Sequence, residues 1–139
     1  MNLGITTEQY FKDYPEKYPE EFTEEIQKNG QEVVEKVSEL LDIWGGYTEV
    51  SSGWRPAAHN ATVHGAAKKS NHILAKAVDL MDKSGDLDKW CLANLKVLED
   101  IGLWMEHPDD TQTDLARFGH GWCHLQIVPP KSGRRVFRK

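Results

Sequence analysis

Between Gln31 and Trp44 the apolar residues Val33, Val34, Val37, Leu40, Leu41 and Trp44 recur at three- and four-residue spacing. This pattern predicts an amphipathic helix closed by Gly45 and Gly46. Upstream, the phrase "YPEKYPEEF" puts prolines where turns and first helical turns accept them, so a short separate helix is expected to end near Asn29 and Gly30. Past the glycines the period shortens, and "YTEVSSGWRP" predicts a strand from Tyr47 to about Arg55, stopped by Pro56. Residues 57 to 71 carry no period and read as a long loop, a length that is uncommon unless functional. A second helix is expected from Ser84 or Asp86 to near Gly102, with its stripe at Leu87, Cys91, Leu95 and Leu98. The strand "LWMEH", the polar turn "PDDTQTD" at 108 to 114 and the strand "GWCHLQIV" follow, the last ended by Pro129 and Pro130.

This order predicts an α+β fold, a small, largely antiparallel sheet with helices packed to one side, and a hairpin for the last two strands. At 139 residues one domain is expected, with a helical part at 1–46, a core at 47–128 and a basic tail at 129–139. A 39% hydrophobic and 28% charged composition is that of a globular chain rather than a disordered one. The formal charge of -5 argues against a nucleic-acid partner, and the basic end "KSGRRVFRK" reads as a solvated tail. No apolar run approaches the roughly 20 residues that cross a bilayer. The N-terminus has neither a basic start nor an apolar core, so a chain made in the cytoplasm without a signal peptide is expected. Cys91 and Cys123 are too few for a disulfide framework or a thiolate zinc site and are expected reduced and buried.

Candidate chemistry lies where alternation separates one polar residue from a core row. In "SNHILAKAVDL", Val78 and Leu80 point to one side of a strand and Ala75, Ala77 and Asp79 to the other, with His72 in the segment feeding it. A helix would also carry His72 and Asp79 near one face, seven residues being close to two turns, but the alternation favours the strand. In the last strand Cys123, Leu125 and Ile127 form the apolar row, and Trp122, His124 and Gln126 face away from it. His72, Asp79 and His124 make a two-histidine, one-carboxylate set suited to zinc, with the fourth tetrahedral position left for water. The same set can hold ferrous iron. Trp54, Trp104 and Trp122 read as core or rim packing, and His59 and His64 as surface residues of the long loop.

These stretches resemble a known family. "SNHILAKAVDL" is similar to the S-x-H-x-x-G-x-A-x-D segment of the D-alanyl-D-alanine carboxypeptidase and phage endolysin family of zinc peptidases, with Ser70, His72, Ala77 and Asp79 in register. "WCHLQ" resembles its closing W-x-H-x-[ED] segment, and "SSGWRP" its S-x-x-R strand, which sets Arg55 as the substrate-facing arginine. The resemblance implies Zn2+ held by His72, Asp79 and His124 on the open face of the sheet, and cleavage of peptidoglycan stem peptides. Ser70 of the matched motif, Trp122 on the His124 face and Gln126, which can orient a ligand or substrate by hydrogen bonding, are the expected substrate contacts. Two positions depart from the pattern: Ala75 replaces the motif glycine, and Gly121 stands where many members carry a catalytic acid three residues before the last histidine. His120 or Glu106 would then handle the proton. A monomeric enzyme is expected, reaching the wall after release by another protein or carried on a phage particle. The alternative is an inactive phage structural or wall-binding protein of the same fold.

Overall fold

The computed structural model describes residues 4–62, 70–112 and 121–138. Helix α1 (Thr7–Phe11) opens with a capping box, Thr6 accepting from the Gln9 amide and Gln9 from that of Thr6. A single turn, α2 (Tyr14–Lys17), follows, with Pro15 in its first turn. The long helix α3 spans Glu24–Trp44, capped by Thr23 at its start and by Gly45 at φ 80° at its end. It runs straight through Asn29 and Gly30, where the sequence suggested a break. Gly30 is there for packing: a Cβ would stand 2.2 Å from Phe11 Cζ, so the missing side chain is a slot for the Phe11 ring.

Strand β1 (Val50–Ser52) is far shorter than the Tyr47–Arg55 strand predicted from composition. Its pairing shifts between Val50 and Ser52, and Gly53 then passes beneath Tyr10, where a Cβ would lie 2.1 Å from the Tyr10 carbonyl oxygen. Trp54 turns into the core, its indole N–H donating to the Ile73 carbonyl. The predicted loop begins with one helical turn, α4 (Ala57–Asn60), and residues 63–69 lie outside the described residues.

Strand β2 (Ala77–Asp82) leads to α5 (Asp86–Ala93) and α6 (Leu95–Ile101), two helices where one was expected. The break is Asn94, at φ -129°, whose side-chain amide donates to the Trp90 carbonyl and competes with the helical ladder. Gly102, at φ 95°, ends α6 as predicted. Strand β3 (Trp104–Glu106) runs into α7 (Pro108–Thr111), one helical turn inside the predicted polar turn, capped by His107 Nδ1.

Strand β4 (Gly121–Gln126) pairs antiparallel with both β2 and β3, so the predicted pairing of the last two long strands holds. A fifth strand, β5 (Val136–Phe137), lies parallel to β3 in the segment read as a solvated basic tail. The sheet order is β1-β2-β4-β3-β5. Alternation gives the sheet one core side: Val78, Leu80, Met105, Cys123 and Leu125 share a hydrophobic cluster with Val33, Val37 and Leu40 of α3, Leu87 and Cys91 of α5 and Leu98 of α6. Cys91 and Cys123 are buried free thiols. Among the described residues no helix is long and apolar enough to cross a membrane.

Candidate metal centre

Asp79 and His124 are direct cross-strand partners in the β2–β4 ladder, each on the side of its strand opposite the core row. His72 comes from the turn that precedes β2. Ser70 shapes that turn, its hydroxyl accepting the His72 backbone N–H at 3.1 Å, and the chain folds back through Ala75 N–H to the His72 carbonyl. Ala75 takes a φ of 57°, the left-handed region that glycine favours. Ala75 thus lies in the turn and not on the strand that alternation suggested, and the position where the resembling motif has glycine is one where the backbone uses it.

The three side chains converge. His72 Nε2 lies 3.3 Å from Asp79 Oδ2, and His124 Nδ1 lies 2.8 Å from Asp79 Oδ1. One ligand atom from each falls within 4.8 Å of the others, the sole grouping of this kind among the described residues. Side-chain exposure is 3% for His72, 16% for Asp79 and 13% for His124, so the site is largely covered but reachable.

The hydrogen bonds fix which atoms are available. His72 Nδ1 sits 2.8 Å from the Gly53 carbonyl oxygen, which can only accept, so Nδ1 carries the proton and Nε2 presents a lone pair. That Nε2 is buried without a hydrogen-bond partner. At the other imidazole, the Gln126 amide nitrogen donates to the Val128 carbonyl, which turns Gln126 Oε1 toward His124 Nε2 at 2.9 Å. His124 Nε2 therefore donates, and Nδ1 faces the Asp79 carboxylate. Two nitrogens and two carboxylate oxygens aim at one another, a repulsive arrangement unless a proton or a cation stands among them.

The proton affinities follow from this. Burial pulls His72 below its ordinary value, against the pull of Asp79. Burial also opposes a charged His124, but the hydrogen bond and charge of Asp79, with Gln126 and Glu106, outweigh it and leave His124 raised. For Asp79, burial alone would raise the carboxyl; the charge of His72 and the hydrogen bond from His124 hold it well below the usual range. Ligands about 2 Å from a tetrahedral zinc stand about 3.3 Å apart; the His72–Asp79 separation of 3.3 Å matches that spacing, and the His124–Asp79 separation of 2.8 Å is shorter, that of a hydrogen bond. The donor set, the orphaned His72 Nε2 and the two imidazoles oriented from behind by Gly53 and Gln126 fit a zinc ion.

Around this centre, Arg55 is anchored by its backbone N–H to the His72 carbonyl, and its Nη2 approaches Asp79 Oδ2 at 3.9 Å. Its Nε is buried without a hydrogen-bond partner, and burial lowers its proton affinity while Asp79 raises it. Trp122 shares the His124 side of β4 and lies opposite Met81. Glu106, next to Met105 on β3, acts through its charge on His124. His120, like His64, lies outside the described residues. Gly121 faces the other way: a Cβ there would stand 1.9 Å from Gln112 Oε1, whose amide nitrogen binds Asp88 and the Trp122 carbonyl.

Sequence reading missed three contributors. Gly53 aligns His72, Tyr10 donates through its hydroxyl to the Ala77 carbonyl at the head of β2, and His59 bonds the Tyr14 hydroxyl at 3.0 Å. The glycine in "SSGWRP" was a signal for the first; nothing local marks the other two.

Over residues 16–105 the chain matches the family described as Peptidase M15. That interval holds Arg55, Ser70, His72 and Asp79 and ends on β3, so the strand bearing His124 follows it. No curated protein matches the chain. With well over half its length in that match, and with a histidine, aspartate and histidine gathered at one point of the sheet, the chain belongs to the M15 family of zinc peptidases, which includes D-Ala-D-Ala carboxypeptidases and endolysins.

Proposed function

We propose that the chain is a zinc-dependent peptidase that hydrolyses peptide bonds in the stem peptides of bacterial peptidoglycan, acting in the manner of a phage lysin. One observation carries this reading: the buried, unpartnered His72 Nε2 and the His124 Nδ1 both face the Asp79 carboxylate. His72 Nε2, His124 Nδ1 and Asp79 are the ligands. When bound, zinc supplies a Lewis acid that polarises an amide carbonyl and acidifies water.

The remaining residues divide the work. Arg55, a permanent cation with an unpartnered buried donor beside Asp79, steadies negative charge on the carbonyl oxygen as the amide is attacked. Glu106, on the strand beside His124, takes up a proton and returns it to the leaving amine; His120 is the other candidate for that role. Gln126 orients His124, while Trp122 and Ser70 line the approach of the peptide. Substrate reaches the site on the open side of the sheet, a reading that the residual exposure of Asp79 and His124 supports. A single 1–139 unit, monomeric and delivered to the wall by another protein or on a phage particle, completes the reading.

One observation favours an inactive, wall-binding relative instead. The position three residues before His124 is a glycine that faces Gln112 on the core side of the strand, so a side chain there would point away from the metal centre. Purified sacculi separate the two. An active peptidase releases new amino groups in a reaction abolished by chelation and by His124→Ala; full zinc occupancy with no amine release supports the binding protein. A preparation in which wild type and His124→Ala hold equally little zinc overturns the metal site and the peptidase reading with it. Arg55→Lys is expected to cut turnover by about 100-fold, because a point charge cannot replace the planar fork of donors. Of Glu106→Ala and His120→Ala, the variant with near-normal turnover is excluded as the proton carrier.

A further inference from the structure

We propose that Phe137, on the C-terminal strand β5, is a positioning residue for the metal centre, holding the His124 imidazole at the angle its ligand role needs. The inference rests on the metal reading above. The Phe137 and His124 rings stand perpendicular, at 90°, with centroids 5.9 Å apart, and His72 meets His124 at 5.4 Å and 63°. Hydrogen bonds to Asp79 and Gln126 hold the His124 ring within its own plane. They resist tilting poorly, and the edge contacts with the two neighbouring rings oppose it. When Asp79 turns from a proton on His124 to a shared cation, the Nδ1 hydrogen bond is given up. Gln126 and the aromatic wall are then what hold the ring.

Among the described residues, Phe137 makes its ring contact with His124. Its neighbour Val136 packs against the hydrophobic cluster, and Phe137 does not belong to it. Two residues make a poor strand by themselves, yet this one is clamped along its length. Met105 N–H donates to the Arg135 carbonyl and His107 N–H to the Phe137 carbonyl, at 2.9 and 2.8 Å. The Arg135 guanidinium lies 4.3 Å over the Trp104 ring and donates to the Leu103 carbonyl. Arg138 then binds both carboxylate oxygens of Asp110 through Nε and Nη2, at 3.0 and 3.2 Å. The clamps on either side of Phe137 fix where its ring stands.

Cobalt(II) titration of the full chain tests this, because its visible absorption reports ligand geometry without any substrate. Phe137→Ala should weaken Co2+ binding by about 10-fold, the range for outer partners of metal ligands. It should also shift the absorption bands, while the metal-free melting temperature stays close to wild type. Val136→Ala should do the reverse, lowering the melting temperature and leaving affinity and spectrum alone. Phe137→Ala with wild-type affinity and spectrum overturns the proposal, and so does a Phe137→Ala chain that fails to fold, which would make Phe137 a packing residue. If the wild-type chain takes up no Co2+, the metal reading itself falls, an outcome distinct from either.

Discussion

Ala75 holds a left-handed backbone at φ 57° with its methyl fully buried. The conformation costs an alanine about 1 to 2 kcal/mol. Replacing it with glycine removes that strain, gives up about 0.8 kcal/mol of methyl burial and adds about 0.4 to 1 kcal/mol of unfolded-chain entropy. These nearly cancel, so Ala75→Gly should leave urea stability within about 1 kcal/mol of wild type. Ala75→Val should lose about 2 kcal/mol or more, since a β-branched side chain is an outlier at positive φ. A glycine variant that loses as much as the valine would mean that the turn is not strained. The same residue marks how far the sequence could be read. Asp79 and His124 were legible because strand alternation isolates each from a core row, and His72 because it stands in the segment that feeds the first of those strands. Ala75 was read as part of that strand because periodicity carries no information on the sign of φ. Tyr10 and Phe137 were illegible for another reason: each acts on a ring or carbonyl distant in sequence, and only the folded chain brings them together.

Among the elements, Gly30 and Asp82 show tertiary packing overriding local signals. A glycine inside a helical pattern predicts a helix end, yet here it admits the Phe11 ring to the flank of α3. Gly30→Ala gains about 1 kcal/mol of helix propensity and must push Phe11 aside, an overpacking cost of about 1 to 3 kcal/mol. A net loss of stability is expected, and adding Phe11→Leu should recover part of it. Additive losses in the double variant would show that Phe11 does not occupy that slot. Asp82 lies buried at the end of β2, on the core side with Val78 and Leu80, and its carboxylate accepts the Leu87 and Asp88 amides at 3.0 and 2.9 Å, in the first turn of α5. Asp82→Ala leaves these buried donors unpaired, and a loss of about 2 to 3 kcal/mol is expected in denaturant unfolding. The strands β2 and β4, the helix α3 and the end of α6 at Gly102 were readable because each rests on its own period or cap. The break at Asn94, the shortness of β1 and the existence of β5 were not, since each is decided by partners elsewhere in the fold.

For the whole molecule, His72, Asp79 and His124 tie the turn before β2 to β4, so a shared ion would cross-link segments far apart in the chain and stabilise the fold by mass action. The two imidazoles give that linkage a pH signature. Burial depresses His72, so in the metal-free chain its contribution is complete above the unfolded value of 6.5 and is lost as pH falls through the folded one. His124 is raised, so its contribution is complete below 6.5 and is lost as pH rises through its folded value. Asp79 is depressed below its model-compound 3.8 and stays ionised throughout this range. Around neutrality these opposite slopes place the metal-free stability maximum near pH 6.5. Zinc reverses the upper slope, because both nitrogens must be free of protons to bind it. The gap in melting temperature between zinc-loaded and chelator-treated protein should therefore widen as pH rises above 6.5, until His124 has lost its proton in the metal-free chain. Taking that difference also cancels Asp88, whose carboxyl is raised by burial in both samples. Scanning calorimetry of paired samples measures it directly. A gap that stays flat across this range, or metal-free stability that keeps climbing beyond pH 7, would mean that His124 does not exchange a proton for the ion.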